Sequence, residues 1–455
     1  MFRGKVRQIH FVGIGGTGMN GIAEVLLNLG FQVSGSDLSE GAAVRRLRTL
    51  GATVHIGHAP ENIDGADVVV KSTAVGLSNV EVREAARRHV PVIRRAEMLA
   101  ELMRMKYGVA VAGTHGKTTT TSMLATVMGE AGLDPTIVIG GKLNAIDSNA
   151  RMGEGDFLVA EADESDGSFM VLSPTVAVVT NIDPEHLDHY GSFEALKRTF
   201  VEFANKVPFF GFAVVCIDHP VVQEILPELN RRVITYGRSR QADVRAEELR
   251  TNGLFTSFTV VRGDQPLGRV ELKMPGEHNV LNALATIATA LELDISFEDA
   301  ARGIGKFDGV QRRFTVRAEE RGVLIVDDYG HHPVEIKATL EGARDGFEGR
   351  RVIGVFQPHR YSRVRDLFAD FCRAFNAADH VVVVPTYAAG EAPIELPDMA
   401  EGLIAHGHRS VFSATDLDAA VDHLAETVSE GDIVITLGAG NVNRVCEDLA
   451  KRLRA

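Results

Sequence analysis

Cysteine is scarce in this sequence, and long apolar runs are missing from it. Only three cysteines occur among 455 residues (Cys216, Cys372 and Cys446), and their odd number and wide spacing argue against a disulfide framework or a structural zinc site. No apolar run approaches the length that spans a bilayer, and the start, MFRGKVRQIHFVGIGG, does not have the pattern of a signal peptide. We therefore expect a cytoplasmic protein without a membrane partner.

The sequence also lacks an excess of basic residues. It has 48 Lys and Arg against 61 Asp and Glu, which gives a formal net charge of −13. This balance argues against general nucleic-acid binding, so anionic ligands must be attracted by local basic groups. A hydrophobic content of 45% is ordinary for a globular protein. We expect small-molecule partners, no nucleic acid, and a monomer or weak homodimer.

Apolar strand-like runs alternate with helical stretches, which predicts an α/β fold with largely parallel sheets. The first series begins with QIHFVGI at 8–14, a second begins near 109, and a third begins with VLIVDD after 313. Between 210 and 275, shorter alternating runs such as FTSFTVV favour antiparallel pairs. We place boundaries near 108 and 313, which gives three domains: 1–108, 109–312 and 313–455.

Residues 108–121, GVAVAGTHGKTTTT, combine a short apolar strand, a glycine-rich turn and the start of a helix. The glycines let backbone N–H groups face phosphate oxygens, and the helix adds its positive N-terminal end. Lys117 then reaches the β- and γ-phosphates, while the Thr118 hydroxyl takes one coordination position on Mg²⁺. Val111 stands where the standard GxxxxGK[ST] loop has its first glycine. The segment predicts a site for a nucleoside triphosphate.

Gly13, Gly15 and Gly18 form a GxGxxG motif between a predicted strand and a predicted helix, and Asp37 lies 19 positions beyond Gly18. This pattern fits the dinucleotide fingerprint, with a tight turn, close backbone approach to a pyrophosphate and a carboxylate placed for a ribose. The same geometry suits NAD or any nucleotide diphosphate, including a UDP-sugar. The motif alone leaves these ligands open.

Candidate metal ligands follow two later strands. Glu161 lies near the end of the apolar run FLVAE, and His186 lies in TNIDPEHLDHYG. In open α/β sheets, functional groups gather at the carboxyl ends of strands, where the phosphate loop also lies. A carboxylate such as Glu161 binds Mg²⁺ directly. His186 as a ligand of a second ion is the weaker prediction, because Mg²⁺ prefers oxygen.

Polar residues also stand at the start of a predicted helix and at the second domain junction. Asn279 and Asn282 interrupt the otherwise apolar helix HNVLNALATIATALEL, where either also fits a helix cap. The pair Arg312-Arg313 lies at the junction, where a guanidinium can reach a transferring phosphoryl group. These positions are candidates for nucleotide contacts.

Histidine and arginine clusters follow two strands of the third series. VLIVDD runs into Tyr329-Gly330-His331-His332, and RVIGVF runs into QPHRYSR with Arg360 and Arg363. The arginine fork pairs both oxygens of a carboxylate. These strand ends therefore predict a site for a small molecule that carries a carboxylate.

Together these strings resemble the Mur ligase family over essentially the whole chain, from residue 13 to beyond 440. The matching segments are GIGGTGMNGIA, KSTAV, GTHGKTTTT, EADESDGSF, TNIDPEHLDHYG, HNVLNALA, GVQRRF, DDYGHHPVEIKATL, FQPHRYSR and TYAAGE. The family's phosphate loop is GxxGK[ST], which accounts for Val111. The resemblance implies three α/β domains: a Rossmann-like domain that binds UDP-N-acetylmuramate, a central P-loop-type ATPase domain with a mostly parallel sheet, and a Rossmann-like domain that helps to bind the amino acid.

The resemblance further implies ATP-dependent joining of L-alanine to the lactyl carboxylate of UDP-N-acetylmuramate through an acyl phosphate, in peptidoglycan precursor synthesis. ATP and Mg²⁺, with Mn²⁺ as a substitute, would be the cofactors. The residues implied for ATP are Gly113, Thr114, His115, Gly116, Lys117, Thr118, Thr119, Asn279, Arg313 and Asp328. Those implied for substrate are Gly15, Gly16, Thr17, Gly18, Met19, Asp37, Ser72, Ser165, Asp166, His331, Arg360 and Arg363. Those implied for metal are Thr118, Glu161 and His186, and those for catalysis are Lys117, Glu161, His186, Arg313 and His331.

Several alternatives remain open at this point. An NAD-dependent oxidoreductase would explain the first glycine motif but would leave the 113–118 loop without a role. A nucleotide-binding protein without chemistry would not explain the acid, histidine and arginine positions. A murein-recycling ligase that adds a peptide would differ in the amine it accepts. The general base for the amine is also open between His186 and His331.

Overall fold

The computed structural model describes residues 6–16, 18–72, 74–143 and 148–454, with the backbone alone for residues 141–143, 148 and 149. The chain forms two compact units. The first holds the residues up to Glu247 together with Thr259–Val270 and Leu281–Asp308. The second holds Glu248–Phe258, Glu271–Val280 and the chain from Gly309 onward. The described residues carry three sheets with helices between their strands, so the prediction of an α/β fold is confirmed.

The first sheet is parallel throughout and has the strand order β3-β2-β1-β4-β5. Its strands are β1 (Gln8–Val12), β2 (Gln32–Asp37), β3 (Thr53–Ile56), β4 (Val68–Lys71) and β5 (Val92–Arg94). Its helices are α1 (Met19–Asn28), α2 (Ala42–Thr49), α3 (Val80–Arg87) and α4 (Arg95–Met103). This order is the Rossmann arrangement, and the order reverses beside β1, so the loop after β1 opens into a crevice at the carboxyl edge.

The second sheet has ten strands in the order β15-β14-β13-β12-β11-β10-β6-β9-β7-β8. The strands are β6 (Tyr107–Ala112), β7 (Thr136–Leu143), β8 (Ser148–Arg151), β9 (Phe157–Glu161), β10 (Val176–Val179), β11 (Phe212–Cys216), β12 (Val233–Gly237), β13 (Val244–Asn252), β14 (Phe255–Arg262) and β15 (Gln265–Leu272). The helices are α5 (Lys117–Glu130), α6 (Leu187–Tyr190), α7 (Phe193–Ala204), α8 (Pro220–Ile225), α9 (Glu277–Glu292) and α10 (Phe297–Lys306).

Most of this second sheet is parallel, as predicted. The pairs from β13 through β12, β11, β10, β6 and β9 to β7 are parallel, and β7 with β8 is antiparallel. Only two residues separate β13 from β14 and β14 from β15. Connections this short join antiparallel neighbours, which agrees with the antiparallel pairs predicted between 210 and 275. The phosphate loop follows β6, which lies between β10 and β9.

The third sheet has the order β16-β17-β21-β18-β19-β20, parallel except for the β16–β17 pair. Its strands are β16 (Thr315–Glu320), β17 (Val323–Asp328), β18 (Val352–Phe356), β19 (His380–Val383), β20 (Val411–Ser413) and β21 (Ile433–Leu437). Its helices are α11 (Pro333–Gly346), α12 (Tyr361–Asp366), α13 (Phe368–Arg373), α14 (Met399–Ala405), α15 (Leu417–Thr427) and α16 (Arg444–Arg454). The predicted clusters at 329–332 and 357–363 lie at the carboxyl ends of β17 and β18.

Buried aliphatic and aromatic side chains fill the space between sheets and helices. The strands β6, β10, β18 and β21 bury nearly every side chain, which explains why their sequences are continuous apolar runs rather than alternating ones. All three cysteines are buried and free. Among the described residues, no helix is long and apolar enough to cross a membrane.

Candidate active site

The glycine loop after β1 borders a cavity of about 600 Å³. Gly13 has φ +81°, and the Gly15 N–H donates to Asp37 Oδ2 over 2.8 Å. A Cβ at Gly15 would lie 2.9 Å from that oxygen, so a side chain there would displace the Asp37 carboxylate. Gly16 and Ser72 line the same cavity. The structure therefore groups four of the residues implied for substrate, Gly15, Gly16, Asp37 and Ser72, around one space.

Of the other residues implied for substrate near this loop, Gly18 and Met19 do not line the cavity. Thr17 lies outside the described residues. Gly18 is the N-cap of α1, and the side chain of Met19 is 1% exposed because it packs into the core. The Met19 N–H donates to the Gly16 carbonyl. Met19 therefore acts as a structural anchor of the loop, and its side chain is not placed to touch a substrate.

Arg95 is a cation at this loop that the sequence interpretation missed. A Cβ at Gly18 would lie 2.6 Å from Arg95 Nη1, so the absence of a side chain lets the guanidinium approach the loop. Arg95 Nη2 is 3.8 Å from Asp163 Oδ2, in the acidic segment after β9. The side chain of Arg95 is 22% exposed. A guanidinium thus lies between the glycine loop and the acidic segment of the second sheet.

The phosphate loop is fixed by the segment that follows β10. Asn181 Oδ1 accepts the His115 N–H over 2.7 Å, and Asn181 Nδ2 donates to the His115 carbonyl over 3.0 Å. The Thr114 hydroxyl accepts the Asp183 N–H over 2.8 Å. A Cβ at Gly113 would lie 2.0 Å from Thr180 Oγ1. These contacts fix the conformation of the loop before α5. Gly113 lies where the loop meets the segment after β10.

Lys117 begins α5 and forms an ion pair with Glu164. Lys117 Nζ lies 2.8 Å from Glu164 Oε2, and it also donates to the carbonyls of Gly113 and Thr114. Burial lowers the pKa of the ammonium, but the charges of Glu164, Asp163 and Glu161 raise it above its usual range. Burial raises the pKa of Glu164 to about 7. Glu164 was not among the predicted site residues.

Thr118 and Glu161, both implied for metal, are direct neighbours. The Thr118 hydroxyl donates to Glu161 Oε2 over 2.9 Å, and the same oxygen accepts the Gly140 N–H over 2.8 Å. These are the hard oxygen donors that Mg²⁺ prefers, and they lie at the start of the phosphate loop helix. Among the described residues, no group of three or more His, Cys, Asp or Glu forms a metal cage.

His186 and His115 lie beside carboxylates in the same region. His186 has φ +56°, and its Nε2 is 3.7 Å from Glu185 Oε2 and 4.0 Å from Glu164 Oε1. The Asp183 carboxylate lies 3.4 Å from His115 Nε2. The left-handed backbone of His186 costs about 1–3 kcal/mol for a non-glycine residue, and such strain is typical of residues at functional sites.

The other residues implied in the first unit have mainly structural contacts. Thr119 is buried in α5. Ser165 donates its N–H to Asp163, and Asp166 accepts the N–H of Ser168, so both shape the acidic loop. Asn282 packs against the phosphate loop: a Cβ at Gly116 would lie 2.4 Å from Asn282 Oδ1.

In the second unit, Asn279 and Asp328 are buried and bonded to backbone. Asn279 Nδ2 donates to the Pro275 carbonyl over 2.8 Å. Asp328 accepts the N–H groups of Phe314 and Gly330 over 2.8 and 2.7 Å. Burial raises the pKa of Asp328. The structure therefore gives these side chains roles in local folding.

Arg313 and His331 both contact Glu335 in helix α11. Arg313 Nη1 is 3.2 Å from Glu335 Oε1, and the His331 N–H donates to Glu335 Oε2 over 3.0 Å. The guanidinium also lies over the ring of Tyr329, 5.4 Å from its centroid. Glu335 thus holds both Arg313 and His331 close to the carboxyl end of β17.

The cluster after β18 contains a strained arginine. Arg360 has φ +66°, and its N–H donates to the Tyr387 carbonyl over 2.9 Å. Arg363 Nη1 lies 3.5 Å from His359 Nδ1, and the His359 ring lies between those of His331 and Tyr387. Burial and the neighbouring positive charges lower the pKa of His359 to about 4. His331, Arg360 and Arg363 are therefore brought to one edge of the third sheet, and the carboxylate site stays a prediction.

Three family models match consecutive parts of the chain. The Mur ligase family catalytic domain matches residues 8–107, the Mur ligase middle domain residues 111–290, and the Mur ligase glutamate ligase domain residues 312–440. These matches cover most of the chain, so the chain belongs to the Mur ligase family of ATP-dependent ligases and has its three-domain fold.

Individual relatives are similar over the whole length. The UDP-N-acetylmuramate–L-alanine ligase of Syntrophotalea carbinolica is 58% identical over 454 residues, which cover 99% of both chains. The crystal structure of the UDP-N-acetylmuramate–alanine ligase MurC of Thermotoga maritima is 29% identical and has a TM-score of 0.82, covering 98% of this chain and 99% of that one. A murein peptide ligase from Psychrobacter arcticus shares the fold, with a TM-score of 0.69, 24% identity and 98% of both chains covered.

Proposed function

We propose that this chain joins L-alanine to the lactyl carboxylate of UDP-N-acetylmuramate, consuming ATP and giving ADP and phosphate. The observation that carries the proposal is the 58% identity over 99% of both chains to a UDP-N-acetylmuramate–L-alanine ligase. The reaction belongs to the assembly of peptidoglycan precursors, and we place it in the cytoplasm. A monomer or weak homodimer suffices for it.

Each domain has a proposed ligand. Residues 1–108 bind the sugar nucleotide at the glycine loop, 109–312 bind ATP at the phosphate loop, and 313–455 help to hold the amino acid. The contact between Thr118 and Glu161, beside Lys117, supports the ATP assignment. Arg360 and Arg363 are proposed to pair with the alanine carboxylate, and Asn279, Arg313 and Asp328 to serve the nucleotide side.

The proposed chemistry turns a carboxylate into an acylating agent. An oxygen of the lactyl carboxylate attacks the γ-phosphorus, ADP leaves, and an acyl phosphate forms. The alanine amine, having lost a proton, attacks the carbonyl carbon, and the tetrahedral adduct expels phosphate. Lys117 and Arg313 are proposed to offset the negative charge of the transferring phosphoryl group. His186 and His331 are both candidates for the base that takes the proton of the amine.

Metal binding is a further part of the proposal. Thr118 and Glu161 would hold Mg²⁺, for which Mn²⁺ can substitute, and His186 would lie near a second ion. A bound divalent ion neutralises phosphate charge and aligns the phosphoryl group for transfer. The chain's own contribution is to present the Thr118 hydroxyl and the Glu161 carboxylate from two adjoining strand ends.

The experiment that tests this function is phosphate release from ATP with neither, one or both of the other substrates present. We expect release only when UDP-N-acetylmuramate and L-alanine are both present, with one phosphate formed per amide. Release that needs neither substrate would indicate an ATPase and would contradict the proposal.

The competing NAD assignment is tested by calorimetric titration. We expect the 600 Å³ cavity to bind UDP-N-acetylmuramate and not NAD(H). Asp37 fits the ribose-binding acid of dehydrogenases, so the exclusion depends on the remainder of the chain. Tight binding of NAD(H) would overturn the assignment of residues 1–108.

A further inference from the structure

His58 lines the same cavity as the glycine loop and Asp37. It follows strand β3, and its side chain is 18% exposed. Its Nδ1 lies 2.9 Å from Ser36 Oγ and 3.3 Å from Glu81 Oε2. Its Nε2 makes no hydrogen bond within the part of the chain that the structure describes and is not among the fully buried atoms. One ring nitrogen is therefore fixed inside the protein, and the other is available to a ligand.

A buried carboxylate holds the inner side of this histidine. Glu81, in the first turn of α3, is 0% exposed. Burial raises its pKa, but the nearby His10 ring, 3.6 Å away, and hydrogen bonds from Ser36 and Asn62 lower the pKa to about 2, so the group is ionised. Asn62 Nδ2 donates to Glu81 Oε1 over 2.6 Å. A fully buried charge is costly unless it is paired and hydrogen-bonded, and here three elements of the first sheet's domain supply those partners.

The hydrogen bonds determine which nitrogen of His58 carries the proton. The Ser36 hydroxyl donates to Glu81 Oε2 over 2.5 Å. A hydroxyl has one proton, so Ser36 Oγ can only accept in its contact with His58 Nδ1. The donor in that contact is therefore His58 Nδ1–H. In the neutral ring, Nε2 then has a lone pair and acts as a hydrogen-bond acceptor toward the cavity.

The strand order places His58 where the base of a nucleotide would lie. The phosphate site follows β1, and the ribose carboxylate Asp37 ends β2. Asp37 pairs in register with Ile56 of β3, and the Gly57 N–H donates to the Asp37 carbonyl over 2.8 Å. Neighbouring strands are about 4.8 Å apart, so the strand next to the ribose position on the outer side is β3. His58 lies just after the end of β3, where the base would follow the ribose.

We propose that His58 Nε2 recognises uracil by accepting its N3–H, and that Glu81 is the positioning residue that holds the ring with Nδ1–H inward and Nε2 facing the cavity. The inference rests on the proposed function, since that function makes a UDP-sugar the ligand. Cytosine carries a lone pair at N3 instead of a proton, so it would oppose the lone pair of His58. The pair His58–Glu81 thus selects uridine over cytidine nucleotides.

The test uses the full chain and calorimetric binding of UDP, CDP, N3-methyl-UDP and 2′-deoxy-UDP. We expect UDP and 2′-deoxy-UDP to bind about tenfold or more tightly than CDP and N3-methyl-UDP, the change expected when one buried hydrogen bond is lost. This comparison needs no variant, so a folding defect cannot obscure it.

Variants then connect the preference to the two residues. His58→Ala should bring the ratio of UDP to CDP affinity close to one, and Glu81→Gln should reduce the ratio in the same direction. His55→Ala is the matched control, because His55 lies on β3 but does not line the cavity; its ratio should equal that of the wild type. A purely structural role for Glu81 would weaken UDP and CDP alike and leave the ratio unchanged.

The outcomes separate this inference from the proposed function. Equal binding of UDP and CDP by the wild-type chain would overturn the inference alone. A preference that depends on the 2′-hydroxyl and disappears in His58→Ala would assign His58 to the ribose and would also overturn it. No binding of UDP by the wild-type chain would overturn the proposed function and the inference together.

Discussion

Lys117 Nζ and Glu164 Oε2 lie 2.8 Å apart, and the side chain of Glu164 is 2% exposed. The lysine that is predicted to meet the ATP phosphates therefore already has a buried anionic partner. Burial raises the pKa of Glu164 to about 7, so this carboxyl group takes up a proton more readily than an exposed one. Glu164, together with the carbonyls of Gly113 and Thr114, holds Lys117 at the loop.

Lys117→Ala should abolish turnover while the protein stays folded. No solvent cation can replace a fixed ammonium at the transferring phosphoryl group, and losing one such contact costs about 3 kcal/mol or more, on the order of a hundredfold in rate. The measurement is kcat together with the thermal melting temperature. Lys306→Ala is the control, since Lys306 is 61% exposed and paired with Glu130. An unchanged kcat in Lys117→Ala would refute the assignment.

Glu161→Ala should raise the Mg²⁺ concentration needed for half-maximal activity. The variant removes the carboxylate that accepts the hydrogen bond of the Thr118 hydroxyl. The glycine-loop cavity, in contrast, lies at the first sheet and not at the second. Binding of UDP-N-acetylmuramate without ATP should therefore change little. Glu154→Ala, at an exposed position, serves as the control. A large loss of sugar-nucleotide affinity with normal metal dependence would contradict this division of roles.

Arg95→Ala should raise the KM for the sugar nucleotide about tenfold or more, because charge-assisted contacts to phosphate are worth about 1.5–3 kcal/mol. The KM for L-alanine should stay close to that of the wild type. Arg94→Ala provides the comparison, since Arg94 is the neighbouring residue, is 47% exposed and faces Glu97. If both variants behave alike in steady-state kinetics, Arg95 has no special role at the glycine loop.

Arg360→Ala should raise the KM for alanine far more than the KM for ATP. Arg360 holds a left-handed backbone at the end of β18, a strain typical of residues fixed for binding. Arg365→Ala, five positions later in the helix α12 that Arg360 caps, tests the general effect of losing a cation, since Arg365 is 60% exposed and pairs with Asp366. Equal effects of Arg360→Ala on both KM values would defeat the carboxylate assignment.

Acidification should destabilise the second unit. Burial, with the charge of Arg313, lowers the pKa of His278 to about 4, and burial lowers that of His359 to about 4. An unfolded histidine titrates near 6.5, so the unfolded chain binds more protons below that value. The stabilisation is complete above about pH 6.5 and is lost as the pH falls toward 4. Denaturant unfolding at several pH values measures this; a stability that is constant over that range would contradict it.

The sequence predicted the parts of the fold and site that depend on local pattern. Buried parallel strands such as β6 and β10 are continuous apolar runs that end in glycine or polar residues, so both the strands and the loops after them were predicted. Parallel strand ends meet at one edge, which is why Thr118 and Glu161, 43 residues apart, come within 2.9 Å.

What the sequence did not indicate depends on contacts between distant segments. Arg95 was missed because its approach to the loop follows from the packing of α4 beside Gly18. Glu164 was missed because only the fold shows that it is the buried acid in the segment EADESD. By sequence pattern, Asn279 and Asn282 were equally good candidates for a helix cap or a nucleotide contact. In the structure, Asn282 is the one that packs against Gly116 of the phosphate loop. Met19 was assigned to substrate by motif, but its side chain is in the core. The domain boundaries and the site roles stay predictions.

We expect free L-alanine to be the amine acceptor, and a competition between amines measures this choice. The full chain is given ATP, Mg²⁺, UDP-N-acetylmuramate and equal concentrations of L-alanine, L-serine, glycine and a murein tripeptide, and the products are identified by mass. We expect the alanyl product to dominate, with minor seryl and glycyl products, since one methyl-sized group discriminates by only about 1–3 kcal/mol. A product that carries the tripeptide in preference to alanine would contradict the assignment of free L-alanine as the acceptor.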